Sequence, residues 1–350
     1  MTYLLGYKEG TSGPVHRPRA TTPADNPLVH EPAYAGPPAW LAGYSVHQAM
    51  QSGAPRRTVW VDGRPVIATL DSGRSRMDMK EYFNRIGFTG RNDKADLDTL
   101  STIHKLHAMS IPYENLSIHC GEKNTIDLSI IYDKIVKSSR GGWCCENNLL
   151  FSWVLREMGY KYTTLGSKGF NKFKNDFYPV DSHLINLVEI DGKPYITDVS
   201  YGVSCQMWYP LELISGKDQP QPPGVFRLLN DGMRWVLEKT GRKHLLKTMY
   251  CFTLTPRTAD HFLETSECLQ TSPDSLFVLK SICSLQTPTG FRALIGRTFS
   301  EITFNPKEDF DLMDMKEIAD CEIEAMLREK FKVVLVNKFS PKNDKVTHCM

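Results

Sequence analysis

The sequence predicts an α+β protein built in several layers, because helical and strand patterns are segregated along the chain. Residues 77–159 carry apolar side chains at helical spacing, residues 160–255 carry short strand-like runs, and residues 256–350 mix the two. Residues 1–76 fit neither pattern, since they hold 9 of the 21 prolines and 8 of the 24 glycines. We expect this first segment to be a disordered or spurious N-terminal extension, with one short hairpin near residues 58–68.

Composition excludes several classes of protein. Hydrophobic residues make up 41% of the chain and charged residues 23%, as in globular domains, and the formal net charge is +2. A near-neutral chain has no general attraction to nucleic acid, and no apolar run reaches the ~20 residues that a membrane span needs. The nine cysteines are odd in number and no signal peptide precedes them, which favours a reducing, cytoplasmic location.

Three amphipathic helices are predicted after an ordinary helix that opens at Met77. Asp96 can cap the first of them, residues 128–135 carry a second apolar stripe, and the third runs from Trp143 to a stop at Gly159.

Strand patterns follow from residue 160. Asp191-Gly192 lies between two of these runs and predicts a two-residue hairpin turn. Residues 256–275 are rich in turns, with one short helix. The remaining predicted elements are strands at 161–165, 183–190, 194–199, 277–285, 291–303 and 332–337, and a helix at 311–331.

The stretch Gly141-Gly142-Trp143-Cys144 is the first candidate for chemistry. Two glycines permit a tight turn with unusual φ, and the helix that follows places Cys144 at its N-terminus. There the helix dipole favours a thiolate, and with a His⁺ partner the pKa of a cysteine can fall to roughly 3.5–7.5. The alternative is a turn that merely starts a helix with a buried cysteine.

The predicted hairpin supplies candidate partners. With a two-residue turn at Asp191-Gly192, His183 and Asp198 lie on one face of the hairpin as diagonal neighbours. An aspartate that accepts from one imidazole nitrogen fixes the tautomer and leaves the other nitrogen for a nucleophile. The alternative for His183 is an ordinary core or rim histidine.

These residues resemble a known family. Residues 140–144, together with His183 and Asp198, are similar to the arylamine N-acetyltransferases, above all the vertebrate enzymes. Further matching blocks lie at residues 111–116, 206–220 and 284–288, and the resemblance covers about residues 77–350. It implies a helical domain at 77–159, a β-barrel-like domain at 160–255, and an interdomain segment with an α/β lid at 256–350, around a cysteine-protease-like Cys-His-Asp core.

The resemblance also implies a reaction. Cys144 would be the nucleophile, His183 its base and Asp198 the orienting carboxylate. Acetyl-CoA would be the co-substrate, and an arylamine, arylhydrazine or N-hydroxyarylamine would accept the acetyl group on nitrogen or oxygen by a ping-pong mechanism. No metal is expected, and we expect a monomer.

Other positions acquire expected roles by the same route. Tyr113, Trp143 and Tyr201 would contact the acceptor, although Tyr113 could equally be core packing. Thr287 and Gly290 would contact CoA. The resemblance also implies a structural ion pair between Arg140 and Glu114.

Three further residues are interpreted as lying outside the chemistry. Cys145 is expected to point away from the nucleophile along its helix. His104 and His107 are interpreted as ordinary surface or core histidines, since no third metal ligand lies nearby.

Two alternative functions use the same residues. One is a cysteine hydrolase or a transglutaminase-like enzyme with a Cys-His-Asp triad. The other is a catalytically silent relative that binds CoA.

Overall fold

The computed structural model describes residues 56–61, 64–69, 76–91, 93–308 and 310–345. Contacts divide the chain into a first unit that ends at Leu70 and a second that begins at Asp71. In the first unit, strands β1 (Arg56–Val61) and β2 (Arg64–Thr69) pair antiparallel, so the predicted hairpin is confirmed. Most of residues 1–76, and with them the expected extension, lie outside the described residues.

The second unit begins with a helical layer. Asp96 accepts a hydrogen bond from the Thr99 backbone at 2.8 Å, which confirms the predicted N-cap. Gly159 has a φ of +79° just beyond the last helix of the layer, where a left-handed residue ends a helix without strain. The elements are α1 (Met79–Ile86), α2 (Leu97–Ser110), strand β3 (Tyr113–Glu114), α3 (Leu116–His119), α4 (Leu128–Tyr132), a π-helical turn (Asp133–Lys137) and α5 (Cys144–Glu157).

Helix α5 is the centre of this layer. Leu150, Phe151 and Val154 on its apolar face are fully buried against the neighbouring helices. Burying a Leu, Val or Phe side chain contributes roughly 1.5–3 kcal/mol, so this face anchors the helix and fixes the position of its N-terminus.

A large antiparallel sheet follows. In the strand order β8-β7-β6-β4-β12-β11-β10-β9, the two ends approach each other, and the Gln219 side chain bonds the Glu212 backbone at 2.8 and 3.0 Å. The sheet is therefore a nearly closed barrel. Its strands are β4 (Lys161–Asn171), β5 (Asp176–Phe177), β6 (His183–Ile190), β7 (Lys193–Thr197), β8 (Leu211–Glu212), β9 (Asp218–Gln221), β10 (Gly224–Asn230), β11 (Trp235–Thr240) and β12 (Leu246–Pro256).

The β6–β7 hairpin has the predicted register. Ile190 pairs with Lys193, and Asp191 and Gly192 have φ values of +51° and +75°. A turn with both central residues at positive φ matches the twist of the flanking strands. The predicted two-residue turn is confirmed.

The C-terminal part forms a five-stranded antiparallel sheet in the order β16-β15-β14-β13-β3. Strand β3 comes from the helical layer, so this sheet joins the two parts of the second unit. The elements are α6 (Leu263–Thr271), α7 (Leu276–Leu279), β13 (Ile282–Thr287), β14 (Gly290–Ile295), β15 (Thr298–Thr303), β16 (Leu312–Glu317) and α8 (Asp320–Phe331).

Several predicted elements in this part are wrong. The predicted strand 277–285 is helix α7 followed by β13, and the predicted strand 291–303 divides into β14 and β15 at Gly296, whose φ is +59°. The predicted helix 311–331 begins only at Asp320, because residues 312–317 pair with β15 as an exposed edge strand. No strand forms at residues 332–337. Pairing with a neighbouring strand decides the structure of such short segments more than their own pattern does.

Among the described residues, no helix is both long enough and apolar enough to cross a membrane.

Candidate active site

The turn before α5 is held by close backbone packing. The backbones of Gly142 and Glu114 are joined by an N–H···O bond of 2.9 Å, and Gly142 N–H donates to the Pro112 carbonyl at 3.1 Å. Neither Gly141 nor Gly142 has a positive φ, so the expectation of an unusual φ is wrong. A Cβ on Gly141 would instead lie 2.2 Å from the Pro112 carbonyl oxygen, which explains why only glycine fits there.

A buried ion pair stabilises this turn. The Arg140 guanidinium donates to the two Glu114 carboxylate oxygens at 2.9 and 3.3 Å. The same carboxylate accepts from the backbone N–H groups of Gly141 and Leu116 at 3.2 and 2.7 Å. The expected Arg140–Glu114 pair is thus present, and it binds the turn to β3 and α3.

A second buried carboxylate lies inside the first turn of α5. Glu146 accepts from the Lys134 ammonium at 2.9 and 3.0 Å and from the Trp143 backbone at 3.2 Å. Burial raises the pKa of Glu146, and Lys134 opposes that rise. A carboxylate here occupies one of the free N–H groups with which every helix begins.

Cys144 is the first residue of α5, as predicted. Its thiol lies 3.8 Å from the Ser182 carbonyl oxygen and 4.0 Å from the Cys145 sulfur. The expectation that Cys145 points away is therefore wrong, because in the first turn of the helix the two long C–S bonds bring adjacent sulfurs into contact. Among the described residues all eight cysteines are free.

The hairpin presents its two polar residues to this thiol. His183 Nε2 and Asp198 Oδ2 are 2.7 Å apart, and the nearby Cys144 thiol also raises the pKa of His183. Because Asp198 occupies Nε2, Nδ1 is the nitrogen left for the sulfur. The structure thus brings together all three predicted triad residues, while their roles in a reaction stay a prediction.

Asparagine side chains of α5 fix the aspartate. Asn148 donates to the free carboxylate oxygen of Asp198 at 2.9 Å and accepts from the Val199 backbone at 3.0 Å. Asn147 donates to the Ser200 hydroxyl at 2.9 Å. Sequence reasoning missed both residues, although the i, i+4 spacing of Cys144 and Asn148 puts them on one helix face and was a usable signal.

Burial and charge act against each other in the triad. Burial alone would lower the pKa of His183, but the Asp198 carboxylate and the Cys144 thiol raise it to about 10. Burial would raise the pKa of Asp198, and His183 with Asn148 lowers it below its usual range. A positive imidazolium against a negative carboxylate is the stable arrangement of this buried pair.

The pKa of the Cys144 thiol is set by a different balance of groups. Contact with the Cys145 thiol and burial raise the pKa of Cys144, and only His183 lowers it. The expectation that the helix terminus and a histidine together give a low pKa is therefore wrong for this chain. The Cys145 thiol and the desolvated site thus oppose the thiolate, and its formation depends on His183.

Aromatic rings surround the triad. The Tyr201 ring lies 5.1 Å from the His183 ring, and the Tyr250 ring lies 5.2 Å from both. Trp143 stacks edge-on against Phe277 at 5.4 Å. Tyr113, Trp143 and Cys144 share one buried cluster, and a Cβ on Gly202 would lie 2.8 Å from the Tyr113 ring. Contact of Tyr113, Trp143 and Tyr201 with an acceptor stays a prediction.

Thr287 and Gly290 lie at the β13–β14 turn, paired with each other. A Cβ on Gly290 would lie 1.8 Å from the Ile302 carbonyl oxygen, so sheet packing alone requires glycine there. Contact of either residue with CoA stays a prediction. Strand β13 reaches the site through Ser284, whose hydroxyl accepts from the Val203 backbone at 3.2 Å.

This arrangement can perform nucleophilic acyl transfer. It offers a thiol at a helix N-terminus, a base held by a carboxylate, and apolar walls that limit water. The same three groups also serve in hydrolases, so the triad alone does not choose between reactions.

Comparison with known proteins decides the family. The model of the N-acetyltransferase family matches residues 96–340, which is most of the chain. The chain belongs to the arylamine N-acetyltransferase family. An arylamine N-acetyltransferase of Gallus gallus, a pineal gland isozyme, is 46% identical over 285 residues, covering 77% of this chain and 98% of the relative. Arylamine N-acetyltransferase 1 of Bos taurus is 42% identical over 283 residues, covering 76% and 98%.

Solved structures of arylamine N-acetyltransferases share the fold. The enzyme from M. tuberculosis aligns with a TM-score of 0.66 at 27% identity, covering 73% of this chain and 94% of that chain. The Mycobacterium marinum enzyme in complex with CoA aligns with a TM-score of 0.66 at 25% identity, covering 73% and 93%.

Proposed function

We propose that this arylamine N-acetyltransferase transfers the acetyl group of acetyl-CoA to arylamines, arylhydrazines and N-hydroxyarylamines through an acetyl-Cys144 thioester. The observation that carries the proposal is the buried His183–Asp198 pair, whose Nε2 and Oδ2 atoms are 2.7 Å apart, together with the Cys144 thiol that raises the pKa of the same histidine. The names of the relatives and the CoA complex of the M. marinum enzyme support the choice of donor and acceptor.

The first half-reaction forms the thioester. The His183 imidazolium stabilises the Cys144 thiolate that forms when the thiol loses its proton to solvent. The thiolate sulfur attacks the acetyl carbonyl carbon, the C–S bond to CoA breaks, and the departing CoA thiolate receives the Nδ1 proton of His183 and leaves as CoA–SH. Asp198 stabilises the imidazolium before this transfer, because it holds the opposite nitrogen.

The second half-reaction frees Cys144. An amine nitrogen attacks the thioester carbonyl carbon, the bond to the Cys144 sulfur breaks, and His183, neutral after the first half-reaction, takes the proton that the amine loses, which restores the imidazolium beside the Cys144 thiolate. An arylamine is a weak nucleophile, so an activated acyl group is needed, and splitting the transfer into two steps lowers each barrier.

The surroundings suggest how the acceptor is held. The Tyr201 ring contacts the His183 ring, and Trp143 belongs to the same buried cluster as Cys144, so an aromatic acceptor would pack against these two rings. Thr287 and Gly290, at the tip of the lid hairpin, are the proposed contacts of CoA. We assign the helical domain to residues 77–159, the barrel to 160–255 and the lid to 256–350, with a cysteine-protease-like core and a cytoplasmic location.

Capture of the intermediate tests the proposal. The full-length protein is mixed with acetyl-CoA, quenched in acid and digested, and the Cys144 peptide is weighed. We expect a gain of about 42 Da, one acetyl group, that disappears when an arylamine is added before the quench.

Two variants control this experiment. Cys144→Ala should give no adduct and no transfer, whereas Cys283→Ala, which removes a buried thiol in another cluster, should keep both. Peptide hydrolysis without an adduct would indicate a cysteine hydrolase or transglutaminase, and CoA binding with neither would indicate a silent relative.

A further inference from the structure

Helix α2 carries two buried histidines, one turn apart, that the proposed mechanism does not use. His104 and His107 are both fully buried, and both rings meet Phe151 edge-on, at 5.8 and 5.5 Å. The two rings thus share a packing partner, and His107 also contacts the Tyr82 ring at 6.0 Å. Their polar contacts differ.

His107 forms its hydrogen bond with a residue outside the triad. Its Nδ1 lies 2.9 Å from the Tyr82 hydroxyl, and its Nε2 has no hydrogen-bond partner among the described residues. This histidine therefore links α2 to α1 and touches no residue of the site.

His104 bonds to the main chain of the site at both nitrogens. Its Nε2 accepts from the Asp198 backbone N–H at 3.2 Å, and its Nδ1 lies 3.0 Å from the Trp208 carbonyl oxygen. An N–H group can only donate, so Nε2 must be unprotonated and Nδ1 must carry the proton that goes to Trp208. The two contacts together fix one tautomer.

We propose that His104 is a positioning residue for acetyl transfer, which holds the backbone of Asp198 and thereby aims its carboxylate at His183. This inference rests on the proposed function. The β6–β7 pairing ends at Thr197, so no strand neighbour is available to the N–H of Asp198. Since Asp198 is fully buried, loss of His104 would leave that N–H without a partner and free the residue to shift.

The remaining groups of Asp198 are already occupied. Its carbonyl accepts from the Gln206 side chain at 2.6 Å, and its carboxylate oxygens meet Asn148 and His183. His104 on α2 and Gln206 therefore bond the main chain of Asp198 at its N–H and at its carbonyl.

The charge state of His104 is compatible with this role. Burial lowers its pKa to about 4, and the nearby Asp198 carboxylate opposes that change only partly. The ring stays neutral in the working range, as an acceptor must. The ionisable groups that face Asp198 and His183 are Cys144, Tyr113, Tyr201 and Tyr250, and those that face His104 are Asp198 and His107.

The test compares His104→Phe with His107→Phe, which remove the same imidazole from the same packing against Phe151. We measure the rate of Cys144 acetylation by acetyl-CoA and, separately, the rate of Cys144 alkylation by iodoacetamide between pH 5 and 10. For His104→Phe we expect acetylation slowed about 10- to 100-fold, as for a buried polar group left unpaired.

We expect the pH profile of alkylation in the same variant to move to higher pH, because a displaced Asp198 no longer raises the pKa of His183, and a neutral His183 no longer stabilises the Cys144 thiolate. His107→Phe should keep both the rate and the profile. His104→Gln, whose carbonyl can accept from Asp198, should recover part of the rate and restore the profile.

Each outcome has a meaning. If the two Phe variants lose rate equally and neither profile moves, His104 only packs, and the inference is wrong. If His104→Phe does not fold, His104→Gln against His107→Gln gives the same comparison. Alkylation needs no acetyl-CoA, so a wild-type protein that forms no acetyl-enzyme would contradict the proposed function without deciding the role of His104.

Discussion

Two buried carboxylates in this protein have the same burial and different partners. Glu114 and Asp198 are both fully buried, each accepts from a backbone N–H, and each lies against a basic side chain at 2.7–2.9 Å. Glu114 faces Arg140, and Asp198 faces His183.

The difference lies in what the partner can do. A guanidinium keeps its charge at every working pH, so the Glu114–Arg140 pair can only hold the turn in place. An imidazole can release its proton, and the Cys144 thiol acts on the pKa of His183. The same arrangement of buried charge therefore supports structure at one site and proton transfer at the other. Four predictions test this contrast, from the largest expected effect to the smallest.

Removing the charge of Asp198 should give the largest loss of acetyl-transfer activity. In Asp198→Asn we expect transfer to fall about 10⁴-fold, since an amide cannot stabilise the imidazolium and favours the wrong tautomer. Glu114→Gln, the matched change at the other carboxylate, should lower stability far more than the turnover of the folded fraction. The measurement is the turnover per folded molecule of each of the two variants. Equal losses of turnover would remove the distinction between the two sites.

Removing Arg140 should chiefly destabilise the fold. In Arg140→Met a buried carboxylate loses its partner, and we expect about 3–5 kcal/mol less free energy of unfolding in a urea titration. Arg297→Met breaks an exposed pair with Asp320 and should cost under about 1 kcal/mol. An Arg140 variant as stable as the Arg297 variant would show that the turn does not need its ion pair.

The two sites should also differ in how stability depends on pH. His183 has a pKa of about 10 in the folded protein, above its usual 6.5, so its stabilisation is complete below pH 6.5 and is lost as pH rises towards 10. We expect a slope of about −1.4 kcal/mol per pH unit from this group, absent in Asp198→Asn. Glu114 has a lowered pKa, so its contribution is lost only as pH falls through the acid range. Urea titrations at pH 7, 8 and 9 measure the slope.

The smallest effect is expected at Cys145. Its thiol raises the pKa of Cys144, so Cys145→Ala should move the pH profile of iodoacetamide alkylation at Cys144 to lower pH. Cys283→Ala, a thiol outside the site, should leave the profile in place. A shift to higher pH in Cys145→Ala would mean that the neighbouring thiol donates to the thiolate instead.

Local signals made much of the site predictable. The Asp191-Gly192 turn has one common geometry, so it placed His183 and Asp198 on one face before any tertiary contact was known. Two glycines before an amphipathic helix likewise placed Cys144 at a helix N-terminus. The residues around 312–317 carry no comparable signal, because an exposed edge strand has neither an apolar face nor a cap, and only its pairing with β15 identifies it.

The sequence by itself determined the α+β order of elements and the hairpin register, because each depends on neighbours close in the chain, and its resemblance to a known family singled out Cys144, His183 and Asp198. Only the tertiary structure decided which groups hold Asp198 and which oppose the thiolate. Asn148, His104 and Gln206 reach Asp198 from different elements, and the Cys145 sulfur meets Cys144 through side-chain rotamers that spacing does not fix. Burial set the balance of charge there, since a pKa depends on the distance and solvation of every group around it.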